Sequence, residues 1–246
     1  MKSFLKKLQR LYHEAIDSIF PRRCLMCHTP LSQGESDICI RCYMSLPFTR
    51  WHGQHGNSME RIIWAQIPIQ RANALLHYYG GDESRNIVLA LKYRSRPRVG
   101  INFGRIMAAD LSGTDFFDGI DAIVPIPLSQ RRQCHRGYNQ SELLAMGVSK
   151  TTGIEVLLNA VERIKNNPSQ THLTEEGRKE NVKDIFHTIN PAQIRGKHLL
   201  LIDDVLTTGA TVLSCAQELV NAADVRISIL TLFIAGSHGS GPTVHK

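Results

Sequence analysis

The clearest chemical pattern in the sequence is the stretch LLLIDDVLTTGAT at 199–211. Its apolar start predicts a buried strand that ends in two carboxylates, Asp203 and Asp204, and a short turn then leads to Gly209, which opens a helix. The first N–H groups of a helix lack carbonyl partners and lie at the positive end of the helix dipole. This turn therefore suits a phosphate group. The alternative is a purely structural strand-to-helix turn with two exposed acids.

A phosphate at this turn can accept hydrogen bonds from backbone N–H groups and threonine hydroxyls. The residues predicted to surround it are Val205, Leu206, Thr207, Thr208, Gly209, Ala210 and Thr211. Asp203 and Asp204 stand at the carboxyl edge of the sheet, where ligands bind in open α/β folds. They suit sugar hydroxyls, or a Mg²⁺ ion held between hydroxyls and a diphosphate. A phosphate, a ribose and a metal-bound diphosphate in this order describe phosphoribosyl pyrophosphate.

Four cysteines near the start of the chain form two CxxC pairs, Cys24 with Cys27 and Cys39 with Cys42, separated by eleven residues. Each CxxC turn brings two sulfurs to one side, so four thiolates can close a tetrahedral zinc site. Four protein ligands leave no open position, which indicates a structural zinc that holds a small module together. The alternatives are disulfides, which a reducing compartment disfavours, and a redox CxxC, which lacks its usual strand and helix.

The elements that must position these residues alternate between strand and helix from about residue 71 onwards. Strands are predicted at 71–79, 120–124, 198–202 and 225–234, and helices at 84–93, 101–112, 138–151, 174–183 and 209–222. Continuous apolar strands between helices predict an α/β fold, in which a parallel sheet is covered by helices on both faces.

The predicted order of domains starts with an amphipathic N-terminal helix over 1–20, whose apolar face docks on the chain or a partner. A membrane-surface helix is the alternative for this segment. The zinc-binding module then covers 21–50, a linker covers 51–70, and the α/β domain covers 71–236. The Gly/Ser-rich tail, 237–246, is expected to be frayed.

Composition limits the class of protein. The 246 residues are 42% hydrophobic and 21% charged, which is typical of soluble globular proteins and excludes fibrous or disordered chains. No apolar run approaches the ~20 residues of a spanning helix, and the N-terminus lacks a secretory signal pattern, so we expect a cytoplasmic protein. Residues 1–110 contain 16 Lys+Arg against 8 Asp+Glu, whereas the remainder is balanced. This surplus favours an anionic partner for the first half, and a solvated basic face is the alternative.

The stretch IDDVLTTGAT resembles the phosphoribosyl-pyrophosphate signature of the type I phosphoribosyltransferases. The resemblance extends over roughly 20–235 to the ComF family, which includes competence proteins of the ComFC and GntX type. It is carried by LKY at 91–93, VPIPL at 124–128, RRQCHRGYNQSELLA at 131–145, and Gln170, Arg178 and Asn181, behind the four-cysteine module. The resemblance implies a type I phosphoribosyltransferase-like domain with a zinc-binding appendage, connected in many bacteria with DNA uptake for natural transformation.

The resemblance also implies roles for residues outside the aspartate–threonine turn. The loop after an early strand receives the pyrophosphate in this superfamily, which assigns that role to Pro125, Ile126, Pro127, Arg131, Arg132 and Arg136. Solvated arginines ahead of a helix are the alternative. A mobile lid lies between the pyrophosphate strand and the ribose strand, so Arg163, Lys165 and Arg178 become candidates for cations that reach the diphosphate. An ordinary surface loop is the alternative here.

Three functions remain compatible with the sequence. The first is a phosphoribosyltransferase, in which a base nitrogen displaces diphosphate, Mg²⁺ and arginines stabilise the leaving charge, and Asp203 and Asp204 fix the ribose. The second is a non-catalytic sensor of phosphoribosyl pyrophosphate or nucleotides. The third is an interaction protein in DNA uptake, whose zinc module and basic residues contact single-stranded DNA or a helicase. The basic residues meant here are Lys92, Arg94, Arg96 and Arg98.

Overall fold

The computed structural model describes residues 22–79, 83–93, 96–164 and 185–235. Its elements in chain order are α1 (Ile40–Met44), α2 (Ser58–Trp64), β1 (Ala72–Tyr78), α3 (Arg85–Tyr93), α4 (Pro97–Asp110), β2 (Ala122–Pro125), α5 (Gln130–Arg136), α6 (Gln140–Thr152), β3 (Val161–Arg163), β4 (Phe186–Thr188), α7 (Pro191–Ile194), β5 (His198–Leu206), α8 (Ala210–Ala222) and β6 (Arg226–Ala235). The helices predicted at 1–20 and 174–183 and the tail at 237–246 lie outside the described residues. Within the described ranges, every helix is too short or too polar to cross a lipid bilayer.

The main sheet has four parallel strands in the order β1-β6-β5-β2. Alternate residues of β5 enter different cores: Leu200 belongs to the core that includes residues of α3, α4 and α6, whereas Leu199 and Leu201 belong to the core that includes residues of α2 and α8. Both faces of the strand are therefore covered, which explains its continuous apolar sequence. The prediction of an α/β fold with a parallel sheet between helices is confirmed. A separate antiparallel pair joins β3 to β4.

Helices α4 and α6 touch each other at two glycines. A Cβ atom on Gly104 would lie 2.1 Å from the carbonyl oxygen of Leu144, and one on Gly147 would lie 2.2 Å from that of Ile101. Any side chain at either position would push the two backbones apart. The contact fixes the position of α6, and with it the residues at its N-terminus that border the site described below.

The cysteine module packs directly on the sheet domain. Leu25 and Met26 are buried in the same core as α4. On the surface of the contact, Asn102 Nδ2 donates to Asp37 Oδ2 over 2.7 Å. The chain leaving the module runs beside β1, where the Thr49 amide donates to the Leu75 carbonyl over 3.0 Å. The two parts therefore share one hydrophobic core.

The segment predicted as a linker, 51–70, contains helix α2. Met59 and Ile63 of this helix are fully buried beneath the sheet. Glu60 is buried as well, and its Oε1 atom lies 3.4 Å from Nε of Arg71, whose Nη1 atom donates to Oδ1 of Asp115 over 2.8 Å. Burial of this charged pair is compatible with folding because both partners have further hydrogen bonds.

Several elements differ from the predicted ones, among them α4, α5 and β5. Helix α4 begins at Pro97 rather than at residue 101, because proline at the first helical position has a preset φ and needs no backbone donor. Helix α5 has no predicted counterpart. None of its side chains is buried, so no apolar periodicity marks it in the sequence.

Candidate functional site

A pocket of about 280 Å³ opens at the carboxyl edge of the main sheet. It is lined by Tyr78, Val88, Lys92, Ile126, Pro127, Leu128, Arg132, Arg136, Arg163, Asp203, Asp204, Val205, Thr207 and Thr211. The ends of β1, β2 and β5 contribute to it, together with α3, α5 and β3. Ligands of open α/β sheets bind at this edge, and the size approaches that of small-molecule sites.

The two aspartates project from the carboxyl-terminal half of β5, which continues to Leu206 instead of ending at residue 202. Asp203 pairs with Thr231 of β6 in the sheet register, so its backbone is fixed within the ladder. Its Oδ1 atom accepts hydrogen bonds from the Ser141 hydroxyl over 3.0 Å and from the Asp204 amide over 2.8 Å. Asp204 is paired differently, with Oδ2 lying 3.2 Å from Nζ of Lys92.

Burial in the pocket and the neighbouring charge of Asp204 raise the pKa of Asp203 to about 7. The hydrogen bonds from the Asp204 amide and Ser141 act in the opposite direction, since they stabilise the ionised form. Near neutral pH Asp203 is therefore only partly ionised. A cation or a set of hydroxyl donors placed on the pair would relieve this repulsion.

The turn after β5 presents Thr207 and Thr211 to the pocket. Gly209 has a φ of 79° and caps the N-terminus of α8, a left-handed conformation that glycine adopts without strain. Among the described residues, the amides of Thr207, Thr208 and Gly209 donate to no backbone carbonyl. Of the other residues predicted at this turn, Val205 lines the pocket, Leu206 is buried in the core, and Thr208 and Ala210 are exposed.

The loop after β2 contributes Ile126 and Pro127 to the pocket. Pro125 is instead buried within the sheet, where it lies opposite Ile202. The three arginines of α5 separate into two groups. Arg132 and Arg136 line the pocket, whereas Arg131 is exposed outside it.

The four cysteine sulfurs of the N-terminal module all lie within 4.8 Å of one another. The Cys27 and Cys39 sulfurs are 3.7 Å apart. Two sulfurs bound to one tetrahedral zinc at about 2.3 Å each are separated by roughly 3.8 Å, so the cluster fits zinc. Hydrogen bonds from Thr29 lower the pKa of Cys27 to about 6, whereas burial raises the pKa of Cys42. Cys134 and Cys215 lie outside this cluster.

No protein-family model matches the chain. Whole-chain comparison is more informative. DNA utilization protein YhgH of Shigella flexneri is 30% identical over 224 residues, which cover 84% of this chain and 95% of that protein. Competence protein F of Haemophilus influenzae is 27% identical over 210 residues (79% and 89%), and competence protein ComFC of Bacillus subtilis is 27% identical over 210 residues (82% and 80%). The chain belongs to the ComF family.

Solved structures resemble this ComF-family chain only weakly. Glutamine phosphoribosylpyrophosphate amidotransferase from B. subtilis, complexed with ADP and GMP, has a TM-score of 0.39 and 19% identity, covering 57% of this chain and 30% of that chain. Adenine phosphoribosyltransferase from Leishmania donovani has a TM-score of 0.33 and 17% identity, covering 64% and 78%.

The ComF motif RGYNQ, at 136–140, supplies Arg136 to the wall of the pocket. Arg136 donates to Oε1 of Gln140 over 2.8 Å, and its guanidinium lies 5.5 Å from the centre of the Tyr93 ring. The Tyr138 hydroxyl donates to the Leu91 carbonyl over 2.8 Å, which ties the motif to α3. These contacts hold the Arg136 guanidinium at the pocket.

Asn139 of the same motif connects α6 to the loop after β2. Its side-chain amide donates to the Ile126 carbonyl over 3.0 Å, while its Oδ1 caps α6 by accepting from the Ser141 amide over 3.1 Å. Ser141 in turn bonds to Asp203, as described above. The motif therefore positions residues of three other elements, in addition to supplying one arginine.

Two of the pocket cations differ from their predicted setting. Arg163, a candidate lid cation, belongs to strand β3 and lines the pocket, where its guanidinium lies 5.5 Å from the centre of the Phe186 ring. Its buried Nε has no hydrogen-bond partner among the described residues, and burial lowers its pKa. Lys92, considered for DNA contact, also faces the pocket. Lys165 and Arg178 lie outside the described residues.

Tyr78, Val88 and Leu128 complete the lining. Leu128 ends the VPIPL stretch, whereas no sequence pattern indicated Tyr78 or Val88. They provide the apolar part of the wall and come from the end of β1, the middle of α3 and the loop after β2. The LKY stretch, whose Leu91 is buried in the core, gave the only hint from the sequence that α3 borders the site.

Proposed function

We propose that the pocket binds phosphoribosyl pyrophosphate together with Mg²⁺. The observation that carries this proposal is that one pocket contains both an acid pair and a wall of cationic side chains. Asp203 and Asp204 stand beside the threonine turn, and the cationic wall consists of Arg132, Arg136 and Arg163. This arrangement matches a ligand that has a sugar with free hydroxyls between a monophosphate and a diphosphate.

The charges in the pocket fit such a ligand. Four cations, Lys92 and the three arginines Arg132, Arg136 and Arg163, face two carboxylates, so the pocket as a whole attracts anions. Arginine suits the diphosphate because its planar guanidinium can donate two parallel hydrogen bonds to phosphate oxygens. The buried Nε of Arg163 has no acceptor among the described residues, and a phosphate oxygen would provide one.

The donor set of the acid pair also fits Mg²⁺, which takes carboxylate, hydroxyl and phosphate oxygens as ligands. Asp203 and Asp204 would hold it beside the ribose. When bound, the ion would neutralise charge on the diphosphate. The chain's own residues would orient the sugar through the acid pair, receive the 5′-phosphate at the turn before α8, and hold the diphosphate against the arginines.

Calorimetric titration with Mg²⁺ and phosphoribosyl pyrophosphate tests the proposal. The wild type is expected to bind, and the Asp203→Ala/Asp204→Ala variant to lose binding while retaining its fold. A matched control removes two exposed carboxylates, Asp118→Ala/Asp224→Ala, and should leave the affinity unchanged. Equal affinity of the acid-pair variant and the wild type would refute the proposal.

A second assay separates an enzyme from a sensor. The protein is incubated with Mg²⁺, phosphoribosyl pyrophosphate and each candidate base in turn, and released diphosphate is measured. Release that depends on one base identifies a phosphoribosyltransferase and its acceptor. Binding without release identifies a non-catalytic sensor of the same ligand.

We further propose that the four cysteines, whose sulfurs lie within 4.8 Å of one another, bind a structural zinc.

We also propose that the protein acts in the use or uptake of DNA in the cytoplasm. The names of its relatives, DNA utilization protein and competence protein, support this role. Arg96 and Arg98, at the start of α4, are exposed and are available to nucleic-acid phosphates. If they contact single-stranded DNA, Arg96→Ala/Arg98→Ala should reduce the salt dependence of binding, since each lost phosphate contact lowers the slope by about 0.7. An unchanged slope would exclude these contacts.

A further inference from the structure

Lys92 occupies an unusual position for a lysine, because its ammonium group is held inside the pocket. Nζ lies 3.2 Å from Oδ2 of Asp204, and the two side chains are only 23% and 14% exposed. The backbone of α3 cannot shift easily at this point, since Ile87 and Leu91 anchor the helix in the core. The flexible stem of Lys92 can still swing its ammonium group within the pocket.

The ligand proposed above competes for both members of this pair. A sugar hydroxyl or a cation on the acid pair replaces the ammonium as the partner of Asp204. A phosphate group near Arg132 and Arg136 offers Lys92 a new anionic partner in the same cavity. An unpaired charge in a desolvated site is unfavourable. Replacement of the ammonium at Asp204 by the ligand therefore favours transfer of Lys92 to the phosphate, and transfer of Lys92 favours binding of the ligand to Asp204.

We propose that Lys92 is a ligand-binding cation, held by Asp204 in the ligand-free pocket and transferred to a phosphate group of the ligand when the ligand engages Asp204. This inference rests on the proposed function, because it assigns a role at the same site. It also predicts selectivity: a polyanion alone binds weakly, since it must take Lys92 from Asp204 without offering that carboxylate a substitute.

The other role for the pair is a brace that joins α3 to β5. A brace and a transferable cation predict opposite effects when Asp204 is neutralised. If Lys92 is a brace, Asp204→Asn loosens the pocket and weakens the binding of any ligand. If Lys92 is transferable, the same change frees its ammonium and strengthens the binding of an anion that carries no cation.

The test is a double-mutant cycle on the binding of inorganic diphosphate, measured by calorimetry at pH 8 with EDTA present. Asp204→Asn is expected to bind diphosphate about tenfold more tightly than the wild type, the value of one hydrogen bond to a charged group. Lys92→Met is expected to bind more weakly than the wild type. In the Lys92→Met background, Asp204→Asn should increase the affinity for diphosphate very little, because there is no ammonium group to free.

Two controls separate this result from a general change in charge. Asp203→Asn removes a charge from the same pair but not the partner of Lys92, so it should change diphosphate affinity equally in the wild-type and Lys92→Met backgrounds. Lys92→Arg keeps the charge and should restore the gain from Asp204→Asn. Thermal unfolding of each variant verifies that the fold is retained.

If Asp204→Asn increased the affinity for diphosphate equally in both backgrounds, the inference would be overturned. The increase would then reflect only the loss of repulsion between Asp204 and the diphosphate. Weaker binding by Asp204→Asn, or no measurable diphosphate binding by any of the four proteins of the cycle, would overturn it as well. The outcome is distinguishable from failure of the proposed function. Mg²⁺-dependent binding of phosphoribosyl pyrophosphate without coupling in the cycle removes only the role of Lys92, whereas coupling without that binding removes only the ligand assignment.

Discussion

The Ser141 hydroxyl donates a hydrogen bond to Oδ1 of Asp203 over 3.0 Å, and these two residues are 62 positions apart in the sequence. The bond joins the N-terminus of α6 to the end of β5. Ser141 directly follows the RGYNQ stretch, and Asp203 is the first acid of the aspartate–threonine turn. The two most specific motifs of the chain are therefore parts of one site, in which one motif orients the carboxylate of the other.

Replacing Ser141 by alanine should weaken Mg²⁺-dependent binding of phosphoribosyl pyrophosphate by about tenfold, since a hydrogen bond to a charged group is lost. The loss should also raise the pKa of Asp203 further, because this bond stabilises the ionised form. Calorimetry over a pH series measures both effects. Ser112→Ala removes a hydroxyl that bonds to the Ala109 carbonyl, outside the pocket, and should bind as the wild type does. Equal affinity of Ser141→Ala and Ser112→Ala would contradict the positioning role.

The raised pKa of Asp203 makes the stability of the fold depend on pH. The folded state holds the Asp203 proton up to about pH 7, whereas an unfolded chain releases it near pH 4. Stability linked to this group is therefore complete below about pH 4 and is lost as pH rises to about 7. Over this interval the free energy of unfolding of Asp203→Asn should rise relative to that of the wild type. At pH 8 it should be higher by about 2 kcal/mol, after allowance for partial exposure of the side chain.

Urea unfolding of both proteins between pH 4 and pH 8 measures this difference. Asp224→Asn, which changes an exposed aspartate, should alter the free energy of unfolding by less than about 0.5 kcal/mol. A difference between Asp203→Asn and the wild type that stays constant with pH would show that burial does not perturb Asp203.

The cysteine cluster predicts one zinc ion per chain in the purified protein. Cys39→Ser should lose the metal and unfold at a temperature lower by several degrees, because the four sulfurs can no longer close a tetrahedral site. Cys134→Ser changes an exposed thiol outside the cluster and should retain both metal and melting temperature. Metal analysis and thermal unfolding measure these effects, and a wild type purified without zinc would contradict the zinc assignment.

The close contact between α4 and α6 predicts a strong effect of a single methyl group. Gly104→Ala places a Cβ atom 2.1 Å from the Leu144 carbonyl oxygen, so the helices must separate. We expect a loss of about 2–4 kcal/mol in the free energy of unfolding. Arg105→Ala, at an exposed neighbouring position, should lose less than about 0.5 kcal/mol. Similar stability of the two variants would show that the helices do not meet at Gly104.

Features formed by residues close in sequence were predictable without the structure. The strand, turn and helix around Asp203 follow from local periodicity, and the cysteine cluster follows from two short spacings. The extent of β5 was not predictable in this way. Asp203 and Asp204 interrupt its apolar pattern, and pairing with β6 extends the strand past them.

Features that depend on tertiary contacts were beyond sequence reasoning. Lys92 meets Asp204 only because α3 lies beside the carboxyl edge of the sheet, and no pattern in the sequence indicated this contact. The glycine and asparagine residues within 51–70 indicated a linker. Asn57 instead caps helix α2, where its side chain accepts a hydrogen bond from the Glu60 amide. A turn-forming residue and a helix cap look alike in a single sequence.

A crystal structure of the protein with Mg²⁺ and phosphoribosyl pyrophosphate tests the central assignment most directly. The account predicts the 5′-phosphate at the amides of residues 207–211, the ribose hydroxyls at Asp203 and Asp204, and the diphosphate against Arg132, Arg136 and Arg163. A ligand bound elsewhere, with the main-chain amides of the turn directed away from any phosphate, would contradict it.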